Sequence, residues 1–136
     1  MRQHVTHTVI ALFAGSSGHV PHTLDLSYDP ADPFTVRIRI EGVVWDIDRE
    51  TVARGLTGPA GDGAIRVAPY AHVCRRPGLS GGIAVDFLKP GEFGRLVLNR
   101  TDLCEFLSAT YEAVRAGTES AHLDIDATIA RLRDAA

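Results

Sequence analysis

Histidines are the first side chains to consider as ligands of a metal ion. The sequence has six, and two pairs have H-x-x-H spacing: His4 with His7 and His19 with His22. Residues three apart on a strand face opposite sides of a sheet. Neither pair is therefore expected to chelate a metal unless the backbone turns there, as it could at Pro21.

The two cysteines give weaker candidates for chemistry. His72 and Cys74 lie two apart and share a strand face, which suits zinc, but no second ligand pair is near in sequence. A surface histidine beside a small core cysteine is favoured instead. Cys104 is expected in the first turn of a helix, where the dipole favours a thiolate. Since no histidine is placed as its base, a nucleophilic role is disfavoured, and both thiols are expected to stay reduced.

Two aspartates in the stretch from Tyr28 to Phe34 could form a carboxylate pair for acid–base or calcium chemistry. Asp29 and Asp32 each precede a proline, which fixes its own φ and pushes the preceding residue toward an extended conformation. An aspartate in such a turn also accepts hydrogen bonds from nearby backbone amides. A rigid corner explains both residues, so we favour it over a ligand role.

Some glycines and arginines are candidate binders of phosphate. Gly58, Gly61 and Gly63 are interpreted as a loop, because no Lys-Ser/Thr pair follows them and no long helix begins there. Arg75 and Arg76 are expected at a solvated loop tip, since no aromatic platform is adjacent. The net charge of −3 gives no general attraction for nucleic acid. The sequence therefore predicts no catalytic residues, no cofactor-binding residues and no metal site, and it leaves any partner-binding residues unassigned.

The length of 136 residues predicts one domain spanning residues 1–136. No apolar run approaches the roughly 20 residues that cross a bilayer. The first residues lack the pattern of a secretory signal, so a cytoplasmic location is expected.

The first predicted strand runs from Val5 to Phe13 and is apolar on both faces in its second half. Phe13 shares one face with Val5, Val9 and Ala11, while Ile10 and Leu12 point the other way. Such a strand is covered twice within the domain or is covered once and pressed against another subunit. A turn at residues 15–18 ends it, and a half-buried strand is expected over His22–Tyr28.

A hairpin with Glu41-Gly42 as its loop follows the Asp-Pro corner. Its register pairs apolar residues on one face and Arg37 with Asp46 on the other. The predicted apolar pairs are Ile40 with Val43, Ile38 with Trp45 and Val36 with Ile47, which makes Trp45 a core residue.

The remaining chain predicts shorter strands and then helices. Asp48 is expected to cap a short helix over Arg49–Leu56, and a strand follows with Ile65 and Val67 inward. We expect a strand end at His72–Cys74 within an exposed segment from Tyr70 to Gly82, and then a second hairpin that turns at Pro90-Gly91. A long helix is predicted with Thr101 as its N-cap and Gly117 as its stop, and a final helix from Asp124 with Ile125, Ile129 and Leu132 inward. The fold class is therefore α+β with a mainly antiparallel, twisted sheet.

Several of these segments together resemble the SsgA-like proteins of sporulating actinobacteria. They are Tyr28-Asp29-Pro30-Ala31-Asp32-Pro33-Phe34, Val43-Val44-Trp45, Gly55-Leu56, residues 59–67 and residues 117–126. The order and spacing match over nearly the whole chain. The Asp-Pro corner with the downstream tryptophan and the Gly-Thr-Glu ending is specific in combination.

The resemblance implies a non-enzymatic regulator or adaptor of sporulation-specific cell division. Proteins of that family are cytoplasmic, help to choose septum sites, interact with the FtsZ-based division machinery and influence peptidoglycan remodelling. It also implies a fold like that of the whirly single-stranded nucleic-acid-binding proteins, assembled as a homotrimer.

Two other functions stay open at this point. One is binding of single-stranded nucleic acid, suggested by the implied fold and by a group of basic residues: Arg37, Arg39, Arg66, Arg75 and Arg76. The other is hydrolysis of cell-wall material, which needs a carboxylate pair in a cleft that the sequence does not identify.

Overall fold

The computed structural model describes residues 4–15, 18–61, 64–70, 81–89 and 92–122. Within these ranges the chain forms strands and helices in the following order: β1 (Val5–Gly15), β2 (Gly18–Tyr28), β3 (Thr35–Ile40), β4 (Val43–Asp48), α1 (Arg49–Arg54), β5 (Ala60–Gly61), β6 (Ile65–Tyr70), β7 (Gly82–Lys89), β8 (Glu92–Asn99), α2 (Arg100–Ala113) and α3 (Glu119–His122).

The strands form one antiparallel sheet in the order β4-β3-β2-β1-β8-β7-β6-β5. Two runs of four neighbouring strands are joined where β1 pairs with β8, with Ala11 opposite Leu98 and Phe13 opposite Leu96. A helix follows each run, α1 after β4 and α2 after β8. The predicted α+β class with mainly antiparallel pairing is confirmed.

The β3–β4 hairpin has the predicted register. Ile38 lies opposite Trp45, and Arg37 lies opposite Asp46 with 2.9 Å between its Nε and the Asp46 Oδ1. Glu41 and Gly42 have φ values of 47° and 80°, the left-handed conformation that a two-residue hairpin loop of type I′ requires. The loop therefore fixes the register that the apolar pattern also demands.

The sheet curls so that its two halves share one core. Trp45 of β4 and Phe87 of β7 lie 4.4 Å apart between ring centroids, although their strands are far apart in the sheet order. Helix α2 packs on the same inner face, where the fully buried Phe106 contacts the His7 ring edge-on at 5.5 Å. Leu24, Leu26 and Tyr28, the predicted inward residues of β2, all belong to this core.

The helix ends differ from the predictions. Asp48 stands at the N-cap of α1, but its side chain makes no capping hydrogen bond, and the helix ends at Arg54 and not at Leu56. The N-cap of α2 is Asn99 and not Thr101, because β8 runs directly into the helix. The Asn99 side chain accepts hydrogen bonds from the amides of Thr101 and Asp102.

The end of α2 also precedes its predicted stop. The helix ends at Ala113, and Val114 is already extended, with φ −141° and ψ 111°. Gly117 lies in the turn that follows, with φ 87°. The turn leads into α3, which begins before the predicted helix at Asp124.

Some predicted features lie outside the described residues. They are the strand end at His72–Cys74, the Arg75-Arg76 loop, Gly63, the Pro90-Gly91 turn and the helix from Asp124. The strands on either side of Pro90-Gly91 do pair as a hairpin, with Lys89 opposite Glu92.

Candidate functional site

The Asp-Pro corner uses both of its carboxylates within the turn. Asp29 Oδ1 accepts a hydrogen bond from the Ala31 amide at 2.9 Å, and the Asp29 carbonyl accepts one from the Asp32 amide at 2.8 Å. Asp32 Oδ1 accepts from the Thr35 hydroxyl at 3.1 Å. Turn fixing therefore accounts for the positions of both aspartates, as the sequence predicted.

Tyr28 fastens this corner to the core. Its hydroxyl donates to the Pro33 carbonyl at 2.8 Å, and its side chain is buried. Burial raises the pKa of Tyr28 to about 12. The phenol therefore stays neutral and remains a hydrogen-bond donor to the Pro33 carbonyl.

Arg49 is a buried cation that sequence reasoning missed. Its Nη1 donates to the carbonyls of Thr110 at 3.1 Å and Val114 at 2.8 Å, at the end of α2. The guanidinium carbon lies 5.0 Å from the Tyr28 ring centroid and 4.1 Å from that of Tyr111. We name this group the Arg49 cluster. No local pattern indicates it, because Arg49 looks like an ordinary first-turn residue of an exposed helix.

Glu119, the first residue of α3, completes the Arg49 cluster. Its Oε1 accepts from Arg49 Nη2 at 2.9 Å, and its Oε2 accepts from the Gly117 amide at 2.8 Å. Its own backbone amide, and then the Arg49 guanidinium, hold the pKa of Glu119 below its ordinary value. The carboxylate is therefore kept ionised opposite the buried cation, which fits a structural role.

Among the side chains that the structure describes, His4, His7 and Cys104 lie in separate surroundings. His7 faces the core against Phe106, whereas His4 faces outward with its Nε2 3.7 Å from Asp29 Oδ1. Cys104 is the fifth residue of α2, so it lies in the second turn and not in the first. Across the residues that the structure describes, no group of three or more His, Cys, Asp or Glu side chains could hold a metal ion.

The arginines of the outer sheet face alternate with acidic residues. Arg37 pairs with Asp46, and Arg39 lies opposite Asp25 on β2. On β8, Arg95 makes a bidentate contact with Asp86, with distances of 2.7 and 3.0 Å. Arg66 is also opposite Asp86. Interleaved acids weaken the attraction of this face for a phosphate backbone.

Exposed apolar residues gather where the ends of two hairpins meet. Phe13 contacts the His22 ring edge-on at 6.0 Å, and His22 Nδ1 lies 3.1 Å from Glu41 Oε1. Phe13, Val20 and Val43 are 40%, 47% and 50% exposed. We define Phe13, Val20, His22, Glu41 and Val43 as the hairpin-end surface.

Ile10 is an apolar side chain on the opposite face of β1, where it is 65% exposed. The second half of β1 is thus apolar on both faces, as predicted. The described part of the chain covers Ile10 and Phe13 only in part. Large apolar side chains grouped in this way mark a surface for protein–protein contact.

Most of the chain matches a known protein family. The family model described as "Streptomyces sporulation and cell division protein, SsgA" matches residues 23–119. The chain belongs to the SsgA family. The matched part of this family member includes the Asp-Pro corner, the β3–β4 hairpin and both helices of the Arg49 cluster.

Individual proteins similar to this SsgA-family chain carry names from the same family. It is 33% identical over 132 residues to the sporulation-specific cell division protein SsgB of Salinispora tropica, covering 92% of this chain and 89% of that one. Its identity to SsgB of Streptomyces coelicolor is 30% over 128 residues, covering 90% of each chain. The family resemblance inferred from the sequence is therefore confirmed, and the relatives are named for sporulation-specific cell division.

Solved SsgA-family structures also have this fold. An SsgA-like sporulation-specific cell division protein from Thermobifida fusca superposes with a TM-score of 0.81 at 29% identity, covering 96% of each chain. An SsgB structure, connected with longitudinal cell division during sporulation of Streptomyces coelicolor, gives a TM-score of 0.78 at 30% identity. It covers 88% of this chain and 94% of that chain. The helices among the described residues are all too short or too polar to span a membrane.

Proposed function

We propose that the protein is a non-enzymatic adaptor of sporulation-specific cell division, acting as one cytoplasmic domain that is recruited to division septa. Its partners would be components of the FtsZ-based machinery, proteins of peptidoglycan remodelling and other SsgA-like proteins. Family membership supports the process. The hairpin-end surface is the observation that supports binding as the mode of action.

The composition of this surface suits contact between proteins. Phe13, Val20 and Val43 are apolar, while the His22–Glu41 pair beside them is polar, as expected of an interface with a polar rim. Fully burying one such apolar side chain contributes about 1.5–3 kcal/mol. Several of them buried together can offset much of the entropic cost of association.

We propose that copies of this chain associate through the hairpin-end surface into a closed ring, with a homotrimer as the expected form. Ile10 and Phe13 point to opposite faces of β1, so the end of this hairpin can insert between two neighbours. In a closed threefold ring, each copy contacts one neighbour through one patch and the other neighbour through a second patch. The two four-stranded halves, each followed by a helix, support a whirly-like description of the subunit.

The test of self-association compares two phenylalanines of similar exposure. Phe13→Ser is expected to reduce the mass measured by light scattering at micromolar concentration toward that of one chain, because it removes apolar area from the surface. Phe34→Ser changes a side chain that is 46% exposed in the Asp-Pro corner, and should leave the mass unchanged. A wild-type protein that is monomeric under these conditions contradicts the oligomer.

The cellular role is tested by gene disruption in the source organism and complementation with the same two variants. Loss of regular spore septation, restored by Phe34→Ser but not by Phe13→Ser, is expected. Normal septation after disruption would refute the role in division. Pull-down from sporulating cells, with wild type beside Phe13→Ser, then identifies the partners that depend on this surface.

Binding of single-stranded nucleic acid is the competing function. The pairing of Arg37 with Asp46 counts against it on the outer sheet face. Fluorescence titration with labelled single strands distinguishes the two, because affinity for nucleic acid falls steeply as salt rises. Tight, salt-sensitive binding that survives Phe13→Ser would favour this alternative.

A further inference from the structure

The free edge of β4 offers a second surface, separate from any contact between copies. Strand β4 is the last in the described sheet and, among the described residues, pairs only with β3. The amide of Arg49, the next residue after β4, donates to the Phe34 carbonyl on the β3 side at 2.7 Å. By the alternation of an antiparallel ladder, Val43, Trp45 and Ile47 turn their peptide groups toward β3 in the same way.

The backbone groups of Val44 and Asp46, and the amide of Asp48, therefore point away from the sheet. No backbone hydrogen bond between described residues engages these groups, whereas the Asp48 carbonyl, at the N-cap position, accepts the first hydrogen bond of α1. All three side chains are exposed, and Val44 is 42% exposed. We call these three residues the β4 edge. An unpaired strand edge is a template that an extended chain can join by main-chain hydrogen bonds.

The charge of the β4 edge indicates the kind of segment that fits. Asp46 is balanced by Arg37, but no ion pair or hydrogen bond between described side chains involves Asp48, which does not cap α1 either. Glu50, exposed in the first turn of α1, adds a second carboxylate without such a pair. A basic side chain placed opposite Asp48 would find an unbalanced negative charge.

A second copy of the chain fits poorly at the same edge. Two antiparallel β4 strands related by a twofold axis at Asp46 would place Asp46 opposite Asp46 and Val44 opposite Asp48. Like charges directly opposite each other destabilise a strand pair. The acidic side chains thus act against self-pairing while they leave the edge open to a segment of opposite charge.

We propose that the β4 edge binds an extended segment of another protein by strand addition. The segment carries basic side chains opposite Asp46 and Asp48 and an apolar one opposite Val44. Its main chain supplies hydrogen bonds, and its alternate side chains supply selectivity. The site is separate from the hairpin-end surface, so Phe13→Ser is expected to leave it intact.

The test uses a short acetylated peptide that places lysine, lysine and valine on one strand face and threonines on the other. NMR titration of the wild-type protein should shift the amide signals of the β4 edge. A peptide N-methylated at the lysines and the valine keeps its charge but cannot donate to the edge. Each lost hydrogen bond is expected to weaken binding about fivefold to tenfold.

Protein variants separate the edge from simple charge attraction. Val44→Pro removes an edge donor without touching the ladder to β3, and Asp48→Lys reverses the local charge; both should weaken peptide binding severalfold. Glu105→Lys makes the same charge change on the exposed face of α2 and should have no effect. Circular dichroism of each variant checks that it is folded.

Three results would overturn the proposal. Equal affinity of the plain and N-methylated peptides would show attraction by charge alone. Signal shifts elsewhere on the protein would place the peptide at another site. Concentration-dependent shifts of the β4-edge amides without peptide would make a second copy the occupant.

Discussion

Arg49 and Glu119 are 70 residues apart in the chain, yet the Arg49 guanidinium donates to the Glu119 carboxylate over 2.9 Å. The same arginine donates to the Val114 carbonyl beyond the end of α2. Because Arg49 is the first residue of α1, it fixes α1 to the end of α2 and to the segment that follows α2. One side chain thus holds three chain segments together.

Replacing Arg49 by methionine is expected to lower the free energy of unfolding by about 2–4 kcal/mol, because buried carbonyls at the end of α2 lose their donor. Urea unfolding measures the loss. Asp46→Asn breaks the exposed pair with Arg37 and serves as the control; such a pair contributes about 0–1 kcal/mol. Equal losses in the two variants would show that the Arg49 cluster is no more important than a surface ion pair.

Acid should weaken the fold through Glu119. The pKa of this carboxyl is held below its ordinary value of 4.5 in the folded protein, so protonation opposes folding. Its contribution is fully present above about pH 4.5 and is lost as pH falls through the lower folded value. Glu119→Gln should flatten this part of the stability curve, measured by thermal unfolding between pH 6 and pH 3. An unchanged slope would contradict the assigned role.

Alkali should weaken the fold through Tyr28. Its folded pKa of about 12 exceeds the ordinary value of 10.0, so the unfolded chain loses the phenolic proton more readily. Stability is thus retained below pH 10 and lost between pH 10 and pH 12. Burial also raises the pKa of Tyr111, so Tyr28→Phe should remove only part of this loss.

Tyr28→Phe should also cost about 1–2 kcal/mol at neutral pH, because the Pro33 carbonyl loses its donor. Chemical unfolding at pH 7 and pH 11 measures both effects. The difference in stability between wild type and variant should shrink at pH 11. A constant difference would show that Tyr28 does not titrate as described.

Gly55 is expected to tolerate no side chain. A Cβ there would lie 2.3 Å from Val67 Cγ1 and 3.0 Å from the Val67 carbonyl carbon, although the φ of Gly55, −66°, suits any residue. Gly55→Ala should therefore destabilise the protein by about 1–3 kcal/mol through overpacking alone.

Gly58→Ala is the matched control, because nothing lies within 4 Å of a Cβ at that position. It should leave the urea midpoint nearly unchanged. Pairing Gly55→Ala with Val67→Ala tests the cause, since the shorter side chain makes room. A double variant whose losses simply add would mean that the contact with Val67 is not responsible.

The β3–β4 hairpin was predicted residue by residue because two local rules agree on it. The Glu41-Gly42 loop sets one register, and the apolar alternation that ends at Trp45 demands the same one. The turn at Asp29 and Asp32 was predictable for a similar reason, since proline acts on its nearest neighbours. Local sequence is sufficient where the determining contacts are local.

The errors and omissions have a common origin in distant contacts. Asn99 caps α2 because β8 continues to the helix without a loop, which the periodicity near Thr101 does not reveal. The Arg49 cluster and the Trp45–Phe87 contact depend on how the sheet curls. The hairpin-end surface was only half predicted: its apolar strand was evident, but the approach of His22 to Glu41 was not.

The pairing of β1 with β8 also constrains how the chain is made. Ala11 and Phe13 are synthesised well before the β8 residues that pair with them, Leu98 and Leu96. A pairing so distant in sequence forms slowly and leaves apolar surface open meanwhile. The strands β1 to β4 of the nascent chain therefore keep part of their core uncovered until β8 has been synthesised.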